Sequence, residues 1–155
     1  MAEGQDWYGG VSMPALVRGA RGAYGAAIRA ALGEAGCDDM PRNGAFVVGA
    51  IARTGAPLSQ IIKDLGVSKQ AAGQLVDTLV TRGYLDRRVD EADRRRLNIT
   101  LADRGQAAAA VVAAAVAQMD DRLAQRVGAE YVAHTRATLG ALIEIKHEAE
   151  GHHHD

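Results

Sequence analysis

The segment from Pro57 to Leu85, PLSQIIKDLGVSKQAAGQLVDTLVTRGYL, constrains the fold more than any other part of the chain. Its apolar residues recur at helical spacing in two short runs, and Gly66 separates the runs where a sharp turn is needed. Ser59 is the predicted N-cap of the first helix, and Ser68 is the predicted N-cap of the second. The pattern predicts a helix-turn-helix, in which the polar face of the second helix can enter a groove of DNA.

The two predicted helices have distinct inner and outer faces. Val67 is expected to fill the angle between them. The residues expected to face inward are Ile61, Ile62 and Leu65 in the first helix and Ala72, Leu75, Val76, Leu79 and Val80 in the second. The opposite face of the second helix carries Lys69, Gln70, Gly73, Gln74 and Asp77.

A β-hairpin is predicted directly after this motif. Gly83 ends the second helix, and the stretches YLDRRV and LNITL then alternate between apolar and polar residues around the turn-like DEADRR. The loop places Arg94, Arg95 and Arg96 in a row, although the chain has a formal net charge of -1. Such a charge run is usually a solvated surface. A hairpin joined to a helix-turn-helix instead indicates a wing, so the sequence predicts a winged helix-turn-helix.

Amphipathic helices are predicted on both sides of the winged helix-turn-helix, at residues 11–35 and 41–53 before it and at residues 103–126 and 129–148 after it. Gly19, Gly22 and Gly25 interrupt the first helix, and we interpret them as a small face for close helix packing. The positions expected to face inward are Phe46, Val47, Ala50 and Ile51 in the second helix and Val132, Leu139, Leu142 and Ile143 in the last. The predicted fold class is mainly α with a small β-hairpin wing.

Composition excludes several classes of protein. A net charge of -1 argues against a uniformly basic coat for nucleic acid, although residues 58–105 hold nine Lys or Arg against seven Asp or Glu. A single cysteine excludes an internal disulfide framework. The chain shows no signal peptide and no apolar run long enough to cross a bilayer, so we expect a cytoplasmic protein without a membrane partner. No phosphate loop, nucleophile elbow or convergent carboxylate pair indicates an enzyme, and no cofactor is expected.

The motifs of the wing resemble those of the MarR family of transcription regulators. That family has an Asp-x-Arg pair in the wing, matched here by Asp93 and Arg95, and then a strand that ends in Leu, matched by Leu101. A Gly follows the strand and is matched by Gly105. The resemblance covers nearly the whole chain, and its specific part is residues 58–105.

Two positions depart from the family pattern. Ala102 stands where the family commonly has a helix-capping Thr, so we expect the cap of the next helix to pass to Asp103. Ile62 stands where a small residue often lets the two helices of the motif approach, so their crossing angle is expected to open slightly.

The resemblance implies a single MarR-like domain over residues 1–155, with a winged helix-turn-helix core at residues 41–102 and a flexible tail at residues 151–155. Residues 1–36 and 103–150 would form dimerisation helices. The implied function is that of a ligand-responsive repressor that binds a pseudo-palindromic operator in double-stranded DNA as a homodimer. A small anionic or aromatic effector would bind between the dimerisation helices and the winged helix-turn-helix and weaken DNA binding.

The resemblance also implies DNA-contact roles. Arg95 would enter a narrow minor groove, held in position by Asp93 through a charge-assisted bond. Side chains near the start of the second helix would reach base edges, and Ser68 would donate to a phosphate. Some of Arg87, Arg88, Arg94 and Arg96 would touch phosphates and others only water. The candidate DNA-binding residues are Ser68, Lys69, Gln70, Gln74, Arg87, Asp93, Arg94 and Arg95.

Alternative interpretations attach to a few residues. Cys37 suggests a thiol-based redox sensor as an alternative, although a structural or incidental cysteine fits its position better. His147 and the histidines of the tail, GHHHD, do not have the H-E-x-x-H spacing of a zinc site, and no metal is expected. His134 stands alone on its helix and is expected to be a packed or surface residue. A winged helix used only for protein contact is the remaining alternative, and such a module has no need of Asp93 and Arg95 at this spacing.

Overall fold

The structure is a computed structural model that describes residues 6–95 and 97–151. A short 3-10 turn at Trp7–Gly10 precedes six α-helices and two β-strands. The elements are α1 Met13–Glu34, α2 Gly44–Thr54, α3 Leu58–Leu65, α4 Lys69–Thr81, β1 Leu85–Val89, β2 Leu97–Leu101, α5 Asp103–Val127 and α6 Ala129–Gly151. The predicted mainly helical fold with a hairpin wing is confirmed. Contacts group these residues into two compact units, which divide between Val116 and Ala117 within α5.

The core of the first unit gathers one face from each of its elements. Its fully buried large side chains are Val47, Val48, Leu79, Tyr84 and Leu85. The aromatic content of the chain is only 4%, and Val, Leu and Ala residues supply most of the remaining buried surface. Because α4 and β1 both contribute to this core, the helix-turn-helix and the wing are anchored to the same apolar surface.

The helix-turn-helix forms as predicted, with one correction at its start. Gly66 adopts the left-handed conformation at φ 68° and ψ 24°, which only glycine adopts without strain. Ser68 caps α4, because its Oγ accepts a hydrogen bond of 3.2 Å from the backbone N–H of Ala71. Ser59 does not cap α3, because the helix begins at Leu58 with Pro57 in the cap position, two residues earlier than expected. The fixed φ of proline prepares the first turn there without a side-chain cap.

The inward faces of α3 and α4 are confirmed. Ile61, Ala72, Leu75 and Leu79 are buried, whereas Lys69, Gln70, Gly73, Gln74 and Asp77 are all exposed. The remaining predicted core positions of the motif are half-buried, and these are Ile62, Leu65, Val76 and Val80. The departure at Ile62 is therefore accommodated at the margin of the core.

The hairpin has the predicted strands and a regular antiparallel register from Leu85 opposite Leu101 to Val89 opposite Leu97. The first helix after it starts very close to this hairpin. The backbone N–H of Ala102 donates to the carbonyl oxygen of Tyr84 at 3.1 Å, and a Cβ added to Gly105 would lie 2.0 Å from that same oxygen. Only glycine permits this approach, which gives a physical reason for the Gly at position 105. Asp103 was expected in the cap position before α5, but it lies inside the first turn of the helix. Its carboxylate interacts favourably there with the positive end of the helix dipole.

Two expectations about the helices are wrong in detail. The second helix begins at Gly44 and not at Pro41, because Asn43 takes a left-handed conformation at φ 67°. Phe46 is 47% exposed, since Gly44, Val47 and Val48 already define the buried face of α2 and position 46 lies off that face. A Cβ built at Gly19 or Gly22 meets no atom within 4 Å in the described residues, so close packing on this small face stays a prediction.

The second unit is helical and carries much apolar surface. Its residues include the end of α5 and all of α6, where Val132 is half-buried. Leu139, Leu142 and Ile143 were expected to face inward, yet within the chain they are 37%, 47% and 56% exposed. Among the described residues, no helix is long and apolar enough to span a membrane.

Candidate nucleic-acid interface

The start of α4 presents a polar surface held by a fixed cap. Ser68 has extended backbone angles and ends the turn that begins at Gly66, so the helix axis and its first side chains are set by the Ala71 to Ser68 bond. Lys69, Gln70 and Gln74 project from the exposed side, opposite the buried stripe of the same helix. Position 74 follows position 70 by one helical turn, so both amide side chains lie on the same face. The geometry brings together the predicted base-contact residues as one surface.

The wing loop is shaped by two aspartates that bind its own backbone. Asp90 Oδ1 accepts from the N–H of Ala92 at 2.8 Å, and Asp93 Oδ1 accepts from the N–H of Arg95 at 3.0 Å. Each is a turn in which a side chain replaces a backbone acceptor two residues before the donor. The Ala92 N–H, with a smaller contribution from Asn98, holds the pKa of Asp90 below its usual value.

The Asp93 contact refines the expected role of this residue. Its carboxylate holds the main chain of Arg95, and the Arg95 guanidinium is exposed at the tip. Arg94 is exposed beside it, while Arg96 lies outside the described residues. A carboxylate bound to an N–H is still charge-assisted, but it fixes where Arg95 leaves the loop and leaves its side chain available for another partner.

Arg87 has a partner within the chain. Its Nη2 donates to Asp77 Oδ1 at 2.7 Å, which joins β1 to the exposed face of α4. Arg88, the next residue in the strand, is 75% exposed and comes no closer than 3.8 Å to a carboxylate oxygen of Asp86. The predicted arginine candidates thus fall into two kinds, with Arg87 engaged and Arg88, Arg94 and Arg95 projecting from the wing.

A shallow open cleft of about 270 Å³ lies beside α4. Arg42 and Asn43, from the turn before α2, form one wall, and Gln74 and Thr78 of α4 form the other. The remaining lining residues are Pro41, Val67, Ala71 and Leu75. Sequence reasoning did not place Arg42 beside α4, because only the tertiary structure brings the turn before α2 next to that helix.

Sequence reasoning also missed a polar cluster formed by Asp39, Tyr84 and Arg104 with the carbonyl groups of Gly36 and Arg82, here called the Arg104 cluster. Arg104 binds the Asp39 carboxylate with both terminal nitrogens, at 3.1 Å to Oδ2 and 2.9 Å to Oδ1. It also donates to the carbonyl of Arg82 at 2.6 Å and to that of Gly36 at 3.3 Å. The guanidinium carbon lies 4.3 Å from the centroid of the Tyr84 ring.

The charged and polar groups of the Arg104 cluster shift one another's pKa values. The Arg104 guanidinium and the Tyr84 hydroxyl, which donates to Asp39 Oδ1, hold the pKa of Asp39 below its usual value. Burial and the negative Asp39 carboxylate raise the pKa of Tyr84 well above its usual value. Arg82 also donates from its side chain to the Asp39 backbone carbonyl. The cluster ties the segment after α1 to the end of α4 and to the start of α5.

The alternative sites find little support in the described structure. Cys37 is buried at 7% exposure, whereas reactive thiols need solvent access. Within residues 6–95 and 97–151, no group of three His, Cys, Asp or Glu side chains could hold a metal ion. His134 is an exposed surface residue whose Nε2 lies 3.6 Å from a Glu130 oxygen, and the histidines at 152–154 lie outside the described residues.

Comparison with known proteins agrees with this geometry. A sequence model of the MarR family matches residues 38–96, and no curated protein sequence matches the chain. The structure of the S. aureus MepR–DNA complex is similar with a TM-score of 0.67 and 19% identity, over 86% of this chain and 97% of that one. CouR, described as a transcriptional repressor bound to a 23-mer DNA duplex, gives a TM-score of 0.66 and 21% identity, over 85% of this chain and 92% of that one. Wild-type apo MarR from E. coli gives a TM-score of 0.63 and 19% identity, over 85% and 97%. At these identities the structural likeness establishes the fold.

Proposed function

We propose that this chain, whose residues 38–96 match a sequence model of the MarR family, is a sequence-specific DNA-binding transcription regulator of that family. One observation carries the proposal. The exposed polar face of α4 and the arginine-bearing wing are anchored to one core, so both can meet the same duplex at once. A winged helix used only for protein contact does not require two basic or polar reading surfaces in this arrangement.

In this proposal α4 reads base edges in the major groove. Gln70 and Gln74 can each pair with adenine through two hydrogen bonds, and Lys69 can donate to guanine or to a phosphate. Ser68 accepts the capping bond from Ala71 through its Oγ, and its hydroxyl hydrogen can still donate to a phosphate. The buried stripe on the other side of α4 fixes how far these side chains reach.

The wing supplies the second set of contacts. Arg95 leaves the loop at a point set by the Asp93 turn, and it enters a narrow minor groove, where the negative potential is concentrated. Arg94 and Arg88, which are exposed, contact phosphates and contribute affinity without reading sequence.

A homodimer is part of the proposal. The apolar side chains of Leu139, Leu142 and Ile143 share one face of α6 and are exposed within the chain. A cluster of large apolar residues on a soluble protein marks an interaction surface, and a second copy would cover it. Two-fold symmetry then requires a pseudo-palindromic operator with half-sites about one helical turn apart.

The regulatory part of the proposal rests on the resemblance to the MarR family. Bound to its operator, the dimer would repress transcription, and a small anionic or aromatic effector would release it by shifting the spacing of the two reading surfaces. No cofactor or catalytic step is involved.

Selection of duplexes from a random pool tests the proposed function. We expect a pseudo-palindromic consensus, bound by two chains, with an affinity roughly 10³-fold or more above that for random DNA. Gln70→Ala should weaken binding to the consensus by roughly tenfold or more and barely affect random DNA, because a bidentate base contact is worth about 1–3 kcal/mol of discrimination.

The matched control is Gln106→Ala, which removes an exposed glutamine from α5 and should leave both affinities unchanged. Failure to enrich any sequence, with a well-folded protein, would favour the protein-contact alternative.

A further inference from the structure

Two consecutive arginines in β1 have different surroundings. Successive side chains of a strand point to opposite faces, so Arg87 and Arg88 cannot play the same part. Arg87 Nη2 lies 2.7 Å from Asp77 Oδ1, whereas the ion pair of Arg88 with Asp86 is loose at 3.8 Å. The Arg87 side chain is also less exposed than that of Arg88, at 40% against 75%. Arg87 therefore has a specific partner and Arg88 does not.

The partner of Arg87 lies on the surface that faces DNA in the proposed function. Asp77 follows Gln70 by seven residues and Gln74 by three, so all three lie on one side of α4. Its side chain is 68% exposed. An unpaired carboxylate at this place would repel phosphates, and the Arg87 guanidinium neutralises it. The same pair fixes the distance between the recognition helix and the first strand of the wing.

We propose that Arg87 is a positioning residue for DNA recognition, which acts through its ion pair with Asp77 and not by direct contact with a phosphate or a base. This inference rests on the proposed function. The pair is largely solvated in the free protein, where such pairs contribute little to stability. A bound duplex excludes water from the pair and strengthens it, so its effect appears in DNA affinity and specificity.

A double-mutant cycle with Arg87→Gln and Asp77→Ala, measured on the selected duplex and on random DNA across a salt series, tests this inference. Each single variant should bind the selected duplex about tenfold more weakly, and the double variant should be no weaker than either single variant. The dependence of affinity on salt should keep its wild-type slope in the double variant, because the two charges that are removed cancel and no phosphate contact is lost. Asp77→Ala should weaken binding although it removes a negative charge.

Arg88→Gln is the matched control, with the same loss of charge one residue away. It should lower the salt slope by about one and weaken both duplexes equally if Arg88 meets a phosphate. The proposal is overturned if the double variant also shows this lower slope, or if Asp77→Ala binds DNA more tightly than the wild type.

A measurement without DNA separates this inference from the proposed function. The ¹⁵N resonances of the Arg87 guanidinium should shift in Asp77→Ala and stay unchanged in Asp86→Ala. Absence of a shift in Asp77→Ala would refute the ion pair itself. Failure of the wild type to prefer any duplex, with the shift present, would refute only the DNA-binding function.

Discussion

The wing loop and the Arg104 cluster both use an aspartate to organise arginine, but they do so at different ranges. In the wing, Asp93 binds the backbone of a residue two positions later, and the arginine side chain remains exposed. In the Arg104 cluster, Asp39 binds an arginine 65 positions later, and the guanidinium is bonded to groups of the protein itself. The first arrangement presents positive charge to a partner, and the second uses it to join elements. The direction in which the guanidinium points therefore decides the role of each arginine.

The largest expected effect concerns the packing of α5 against the hairpin, beside the Arg104 cluster. Gly105→Ala should lower the free energy of unfolding by about 3 kcal/mol, because the new Cβ would meet the Tyr84 carbonyl oxygen at 2.0 Å and neither backbone can move freely. Chemical denaturation measures the loss. Gly33→Ala, in α1 with no atom within 4 Å of the added Cβ, is the control and should stabilise the protein by up to about 1 kcal/mol. Equal stability of the two variants would contradict the close approach of α5 to the hairpin.

In the wing, by contrast, a substitution should weaken DNA binding and leave the stability of the protein almost unchanged. Arg95→Ala should weaken binding to the selected duplex about tenfold while changing the free energy of unfolding by less than about 0.5 kcal/mol, because its side chain is exposed. Arg94→Ala removes the same charge without the Asp93 turn behind it, and its loss should be about threefold. Fluorescence anisotropy on labelled duplex gives both affinities. Equal losses of affinity in the two variants would mean that the wing acts only as a generic basic patch.

Much of the structure of the wing and of the start of α4 could be predicted from the sequence. The alternation around DEADRR and the cap at Ser68 are local signals, since each involves residues within a few positions of one another. The resemblance to the MarR family implied that Asp93 would hold Arg95, and in the structure Asp93 binds the backbone N–H of Arg95.

The Arg104 cluster could not be predicted in the same way. Asp39, Tyr84 and Arg104 come from three segments far apart in the chain, and none has a spacing or periodicity that marks it. Their meeting depends on how α1, α4 and α5 pack, which one sequence does not encode locally. The exposure of Phe46 was missed for a related reason, because packing of the neighbouring face, not periodicity alone, decides which residue is inward.

A smaller effect probes the electrostatics of the Arg104 cluster. Tyr84→Phe should lower the free energy of unfolding by about 1 kcal/mol at neutral pH, through loss of the hydrogen bond to Asp39. The pKa of Tyr84 is raised in the folded state, so the wild type loses stability as the pH rises above the ordinary tyrosine value of about 10. Denaturation at pH 8 and above should show a weaker alkaline loss in Tyr84→Phe. The exposed Tyr131→Phe should leave the pH profile unchanged.

The central claim is that the wing is a shaped loop that presents Arg95 to DNA, and Asp93 tests it with the smallest change. Asp93→Ala and Asp93→Asn remove the same negative charge, but only asparagine keeps an oxygen that can accept from the Arg95 N–H. The decisive measurement is the ratio of their dissociation constants on the selected duplex. A shaped loop predicts that Asp93→Ala binds severalfold more weakly than Asp93→Asn and also more weakly than the wild type. Equal affinities for the two variants, both tighter than the wild type, would mean that net charge alone governs the wing and would contradict the account.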